Sequence, residues 1–137
     1  MKKILVDLNI LIDFLNKRNF HLEAAKLINS CVEKENQGFL CAHEITTLSY
    51  FLSKTQKDKA KLINTITSIM DVFSIIPVNE TILKDALLSP INDFEDAVIE
   101  VSALKQNIDY IISRNISDFK NARIPVYTPE QFSIHHS

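Results

Sequence analysis

Short apolar runs alternate with longer segments of helical period along the whole chain. Ile4-Leu5-Val6 reads as a buried strand, and it ends abruptly in Asp7. Ile10, Leu11, Phe14 and Leu15 then recur at helical spacing, with Asn9 placed to cap that helix. Asn19-Phe20-His21 is a break, and Leu22 to about Lys34 predicts an amphipathic helix with Leu22, Ala25, Leu27, Ile28 and Val32 on one side. Asn36-Gln37-Gly38 is a stop and turn signal. Phe39-Leu40-Cys41-Ala42 is a second strand, running through His43-Glu44 into a helix built on Ile45, Leu48, Phe51 and Leu52.

A polar, lysine-rich link covers Lys54 to Lys61, and a helix runs from about Lys57 to Asp71. Val72 to Val78 holds the third strand, and Asn79 caps a helix that Ser89-Pro90 breaks. Asn92-Asp93-Phe94-Glu95-Asp96 opens the next helix, whose apolar positions are Ala97, Val98, Val101 and Leu104. Asp109 to Ser113 is the fourth strand, Arg114 to Phe119 a turn, Pro125 to Tyr127 a fifth strand, and Thr128 to Phe132 the start of a last helical turn. Strands separated by helices predict a parallel sheet sandwiched between helices. Their order across the sheet is not readable from pattern. With no internal repeat or long linker, residues 1–137 are expected to form a single domain.

Composition narrows the chemistry. A chain of 137 residues buries about two-thirds of its unfolded surface and needs no disulfide or structural metal for a core. Cys31 and Cys41 admit a disulfide or half a zinc site, and their apolar surroundings favour two buried thiols. The single glycine, Gly38, excludes a P-loop, a dinucleotide fingerprint and a nucleophile elbow. No apolar run approaches the ~20 residues of a membrane helix, and the start does not read as a signal peptide, so a cytoplasmic protein is expected. The net charge of −2 lacks the basic excess of a protein that holds nucleic acid through phosphate contacts alone. Such a protein would need a local basic patch or bound cations.

The acids then stand out by position. Asp7 follows the first strand, Glu44 the second and Asp118 the fourth, while Asp96 lies in the first turn of the helix before the fourth strand. Asp93 shares a helical face with Asp96. In an open parallel sheet, groups at the carboxyl ends of strands converge on one crevice. Carboxylates gathered there repel and take up protons unless cations sit among them, and hard Mg²⁺ or Mn²⁺ favours oxygen ligands. The chemistry that fits is phosphodiester hydrolysis, with metal lowering the pKa of water and steadying the phosphate. Each acid also has a plain alternative: Asp7 as a helix cap, Glu44, Asp93 and Asp96 as favourable charges at helix starts, and Asp118 as a turn residue. Their joint placement carries the signal.

Lesser candidates surround them. His43 adjoins Glu44 as a ligand or proton shuttle, Thr46 and Thr47 offer hydroxyls, and Arg114 beside the cleft offers a grip on phosphate. The Lys54–Lys61 cluster is the best basic patch for RNA, and His135-His136 reads as a loose tail.

The segment Val6 to Asp13 resembles the opening motif of PIN-domain ribonucleases. Glu44-Ile45-Thr46-Thr47-Leu48 is similar to their second motif, Asp93-Phe94-Glu95-Asp96-Ala97 to the third, and Ile112 to Phe119 to the fourth. Pro125 to Phe132 resembles the family's end, so the likeness spans essentially the whole chain in order. It implies a three-layer α/β/α sandwich around a parallel sheet of four to five strands, and metal-dependent cleavage of RNA. Carried over, Asp7, Glu44 and Asp96 are the central metal-binding and catalytic acids, with Asp118 as the fourth and Asp93, Asn9, Asn115 and Ser113 in support. Asn115 stands where relatives have Asp or Asn and supplies no charge, which leaves that role to Asp118. Ser113 stands where threonine is commoner and keeps the hydroxyl. Arg114 and Thr46 are candidate RNA contacts.

A small single-domain protein of this kind resembles the VapC-type toxins of toxin–antitoxin pairs, which implies a homodimer, an antitoxin partner and an RNA substrate. The competing reading is a PIN-like scaffold that binds RNA or protein without cutting. A receiver-like phosphorylation domain also places acids at strand ends, but the third strand here ends in Pro77-Val78-Asn79 without the acceptor aspartate it needs.

Overall fold

The computed structural model describes residues 1–18 and 21–136, with side chains through Ile134 outside the 19–20 gap. The break expected at Asn19-Phe20 therefore lies outside the described residues, while His21 begins a helix. Thirteen elements follow in order: β1 (Lys2–Val6), α1 (Leu8–Leu15), α2 (His21–Val32), β2 (Asn36–Cys41), α3 (Ala42–Ser53), α4 (Lys59–Val72), β3 (Ser74–Ile76), α5 (Glu80–Ala86), α6 (Phe94–Lys105), β4 (Tyr110–Ile112), a 3-10 turn (Ile116–Phe119), β5 (Val126–Tyr127) and α7 (Pro129–His136).

The five strands form one sheet in the order β3-β2-β1-β4-β5, with every neighbouring pair parallel. Handedness explains the layers. The connections β1→β2 and β2→β3 step one way across the sheet, and β3→β4 crosses back past β1. Right-handed crossovers must then place their helices on opposite faces. Ile4, Val6, Leu40 and Ile112 accordingly pack with α1, α2, α3, α4 and α7 in one apolar cluster. Leu5, Phe39, Cys41 and Ile111 point the other way, onto Ile99 and Ala103 of α6 and Phe119 of the 3-10 turn. A third cluster joins α5 to α6 through Ile82, Ala86, Val98 and Val101. The result is the expected three-layer α/β/α sandwich. No helix among the described residues is long and apolar enough to cross a membrane.

Local chemistry sets several boundaries. Asp58 caps α4 through Ala60 and Lys61, so this helix starts later than its lysines suggest. Asn79 caps α5 by accepting from the Ile82 N–H, as its sequence predicts. Asn9 does not cap α1: Asp7 is the N-cap residue, and Asn9 sits inside the first turn. Asn36-Gln37-Gly38 is strand, not turn. The chain turns earlier, where Lys34 takes a φ of 60° and the Glu35 N–H donates to the Ser30 carbonyl. Gly38 is needed for a different reason: a Cβ there would stand 2.6 Å from Phe73 and 2.8 Å from the Cys31 sulfur. The buried stripe of α2 is Ala24, Leu27 and Cys31, so Leu22 and Val32 face outward instead of inward. The backbone of α7 continues through His136, where a loose tail is expected from sequence. Cys31 and Cys41 are free, buried thiols; burial pushes the Cys31 pKa up to about 11.

Candidate active site

The strand order reverses between β1 and β4, and the carboxyl ends of these strands open the crevice that such a reversal leaves. Asp7 follows β1 directly. Its N–H continues the ladder by donating to the Ile112 carbonyl at 2.8 Å. Its side chain makes no capping bond. Oδ2 instead accepts from the Ser113 hydroxyl at 2.8 Å, just past β4. Both residues are buried. Ser113 Oγ in turn accepts from the Asn115 N–H at 3.1 Å, so the hydroxyl is oriented toward the acid.

Glu44 is reached through the next strand. β2 ends at Cys41, and Glu44 occupies the first turn of α3. Its Oε1 accepts from the Cys41 N–H at 2.8 Å, closing the first turn of the helix. Glu44 is only 2% exposed, and its Oε2 is buried without a hydrogen-bond partner. The helix-start role and a role in the cleft thus belong to different oxygens of one carboxyl group.

The opposite wall comes from helix starts and a turn. Asp93 is the N-cap of α6 and accepts from the Asp96 N–H at 3.1 Å. Asp96 lies in the first turn of α6, and Asp118 in the 3-10 turn after β4. Together with Asp7, Asn9, His43, Glu44, Thr47 and Glu95, these acids line a cleft of about 190 Å³.

Crowding shows in their proton affinities. Burial raises the Asp7 pKa and Asp118 adds to it, against the Ser113 hydrogen bond. Burial, then Asp7 and Asp96, push Glu44 well above the ordinary glutamate value. Asp96 rises to about 7, through burial and then the charges of Asp7, Asp93, Asp118 and Glu95. Burial lowers the His43 pKa, with Glu95 opposing it, so the imidazole is neutral near pH 7. Its Nδ1 is also buried without a partner.

The donor chemistry fits a hard divalent ion. Glu44 Oε2 is a buried carboxyl oxygen without a hydrogen-bond partner, and burial and neighbouring acids raise the pKa values of Asp7, Glu44 and Asp96, a cost that a cation among them would relieve. Among the described residues no three acid, histidine or cysteine side chains form a ready ligand set. The acids line a hollow and do not yet close on a point. Asp7, Glu44, Asp96 and Asp118 are the residues that would hold an ion.

Some sequence-predicted contacts fall elsewhere. Arg114 does not line the cleft, although its charge is felt at Asp7: its guanidinium donates to the buried carboxylate of Asp13 at 2.6 Å and ties the end of β4 to α1. Thr46 is exposed and outside the cleft, with its hydroxyl donating to the His43 carbonyl. The lining hydroxyl belongs to Thr47. Asn115 acts through its backbone N–H, and it is Asp118 that lines the cleft. Glu95, in sequence only a favourable charge at a helix start, also lines the cleft beside His43, a proximity that no local pattern encodes. The exposed side of α3 carries His43 and Thr47 at the cleft, then Tyr50 and Lys54 at helical spacing beyond it.

The architecture recurs in solved structures. A chain of a toxin–antitoxin complex from Klebsiella pneumoniae superposes with a TM-score of 0.68 at 24% identity, covering 92% of this chain and 97% of that one. FitAB bound to a DNA fragment gives 0.73 at 16% identity, covering 92% and 94%. VapBC-1 from nontypeable Haemophilus influenzae gives 0.66 at 19% identity, covering 93% and 98%. These likenesses are of fold. A comparison with curated proteins gives no significant match. The family model of the PIN domain matches residues 3–117, which contain every acid of the cleft except Asp118. The sheet order, the crevice at its reversal and that match agree: the chain belongs to the PIN-domain family.

Proposed function

We propose that this cleft is the active site of an Mg²⁺- or Mn²⁺-dependent endoribonuclease, acting in the cytoplasm as the toxin of a toxin–antitoxin pair. The observation that carries the reading is Glu44: a fully enclosed carboxyl group with one oxygen bonded to the backbone and the other left unpaired beside Asp7 and Asp96. A buried acid in that state is costly unless a cation completes it. Bound metal supplies Lewis acidity, which makes water a nucleophile near neutral pH and offsets phosphate charge.

The protein's own residues do the rest. Ser113 holds one oxygen of Asp7 in place, and the Cys41 N–H fixes one oxygen of Glu44. Asp96 and Asp118 line the same cleft. His43, neutral and beside Glu95, can accept a proton at the cleft wall.

The toxin role draws support from the toxin–antitoxin complexes among structures of the same fold. An antitoxin protein and a second copy of the chain are the proposed partners. Exposed apolar side chains, Ile63 and Met70 on α4 and Leu87 and Leu88 after α5, leave surface for both. The competing reading, a scaffold that binds without cutting, draws support from Asn115, which supplies no charge, and from the net charge of −2.

A cleavage assay separates the two. Purified protein with Mn²⁺ should cut single-stranded RNA, EDTA should stop it, and Asp7→Asn should be inactive. RNA that stays intact at millimolar Mn²⁺, while still binding the protein, would establish the scaffold. Activity that survives both EDTA and Asp7→Asn would point to a mechanism outside this cleft.

A further inference from the structure

Three stretches of chain build the acid wall opposite Asp7 and Glu44: the connection between α5 and α6, the first turn of α6, and the segment that follows β4. They meet on one side chain, Glu100 of α6, which is 0% exposed. The Ser89 hydroxyl donates to Oε1 at 2.7 Å, and itself accepts from the Ile91 N–H at 3.1 Å. The Arg123 N–H donates to Oε2 at 2.8 Å, and its guanidinium donates to Oε1 at 2.7 Å. Burial alone would raise the Glu100 pKa; Arg123 and Ser89 outweigh it and hold the group ionised, below the usual glutamate value.

What hangs on Glu100 is the cleft. Asp96 lies one helical turn before it on α6. The Ser89 segment leads directly into Asp93, the cap of that helix. Arg123 lies four residues past the 3-10 turn that carries Asp118, and Phe119 and Ile124 on either side of it pack with Ile99 and Ala103. A buried ion pair is often no more stabilising than an apolar pair of the same volume. Its specific contribution is geometric, because a carboxylate with several fixed donors admits one arrangement of the segments that supply them.

We propose that Glu100 is a positioning residue for the acidic cleft: by joining the Ser89, α6 and Arg123 segments, it sets the spacing of Asp93, Asp96 and Asp118 across from Asp7 and Glu44. The proposal rests on the metal-site reading above, because spacing matters only if the acids share an ion. Glu100 touches no substrate and acts wholly through the segments it joins.

The test compares Mn²⁺ affinity with stability. Glu100→Gln keeps the shape of the side chain and loses the charge; Arg123→Lys keeps a cation and loses the guanidinium geometry. Ile108→Ala is the control, a cut in the same apolar cluster as Ile99 and Phe119 that leaves Glu100 alone. Melting by circular dichroism and Mn²⁺ titration by calorimetry are measured on all of them and on the wild type. Groups that only orient a metal ligand typically change affinity by about 10–100-fold, so Glu100→Gln should weaken Mn²⁺ binding by about tenfold and Arg123→Lys by about threefold. Ile108→Ala should melt earlier yet bind Mn²⁺ within about twofold of wild type. Equal Mn²⁺ affinity in Glu100→Gln and wild type would overturn the inference alone, as would a loss that Ile108→Ala reproduces. If Glu100→Gln does not fold, unchanged affinity in Arg123→Lys overturns it. Wild-type protein that binds no Mn²⁺ overturns the metal-site reading and the inference together.

Discussion

The two walls of the cleft are made differently. Asp7 directly follows β1, and Glu44 lies in the first turn of α3, three residues past β2; both are buried, each with one carboxyl oxygen fixed by a short hydrogen bond. Asp93, Asp96 and Asp118 stand on a helix cap, a first helical turn and a 3-10 turn; Asp93 and Asp118 are exposed and Asp96 is half-buried. The first wall is the more rigid one, buried and hydrogen-bonded to residues at the strand ends. The other can adjust, within what its attachments allow. Charge is costly on both walls: burial raises the Asp7 and Glu44 pKa values, and burial with neighbouring acids raises that of Asp96.

The largest effects should come from the rigid wall. Asp7→Asn and Glu44→Gln each remove a metal-binding acid, and should lower Mn²⁺-dependent cleavage by more than about a hundredfold, beyond the ~10–100-fold typical of groups that merely orient a ligand. In EDTA the same substitutions should raise stability, by about 0.5–2 kcal/mol, because each removes an acid that burial disfavours in its charged form. Thermal melting with and without Mn²⁺ checks this. Variants less stable than wild type in EDTA would mean that these acids are structural groups and not strained ones.

Ser113→Ala probes the rigid wall without touching its charge. The hydroxyl holds Asp7 and lowers its pKa, so its loss should leave the fold intact and cost about 10–100-fold in Mn²⁺ affinity or cleavage. An effect as large as that of Asp7→Asn would show that Ser113 contributes more than orientation. No effect would show that the sheet alone fixes Asp7.

The adjustable wall should be visible in pH dependence. Asp96 titrates at about 7 in the fold, raised from 3.8. Between these values the folded protein holds a proton that the unfolded chain has released. Metal-free stability should therefore fall as pH rises from about 4 to about 7, and level off above. Because Asp96 is partly solvated, the loss is about 1–2 kcal/mol, well short of the full shift. Asp7 and Glu44, raised in the same direction, deepen it. Saturating Mn²⁺ should flatten the curve. Stability that increases over this range in EDTA would mean that the acids are paired or solvated in the fold.

The same contrast governs what the sequence reveals. A strand that ends in an acid is a local pattern, so Ile4-Leu5-Val6-Asp7 and the run before Glu44 can be read directly. Asp96 and Asp118 are placed by pattern too, but their orientation is not. It depends on Glu100 meeting Arg123 and Ser89, residues distant in the chain, and Glu100 looks like one more polar position on a helix. Arg114 misleads for a related reason. It reads as a phosphate grip, but the buried Asp13 of α1 accepts from its guanidinium, and it is not among the residues that line the cleft. Gly38 reads as a turn because glycine usually marks one, while its actual reason is the packing of Phe73 and Cys31 against β2. Strand order could not be read at all, because it is set by contacts among all five strands.

The smallest expected effect lies outside both walls. The exposed side of α3 leads from His43 and Thr47 at the cleft to Tyr50, 67% exposed, and Lys54, whose Nζ stands 4.9 Å from the Tyr50 ring centroid. Lys57, Lys59 and Lys61 follow, also exposed, on a protein with a net charge of −2. An RNA strand leaving the acidic cleft along this side would meet an aromatic face and then positive charge. Binding of single-stranded RNA to the inactive Asp7→Asn protein, read by fluorescence anisotropy across a salt series, tests this route without cleavage. Lys54→Ala should weaken binding about threefold and reduce the salt slope by about one, as expected for one lost phosphate contact. Tyr50→Ala should weaken binding by about 1 kcal/mol with the slope unchanged, since stacking carries no counterion release. If neither changes, the strand leaves by another path, and the lysines of α4 are a solvated face.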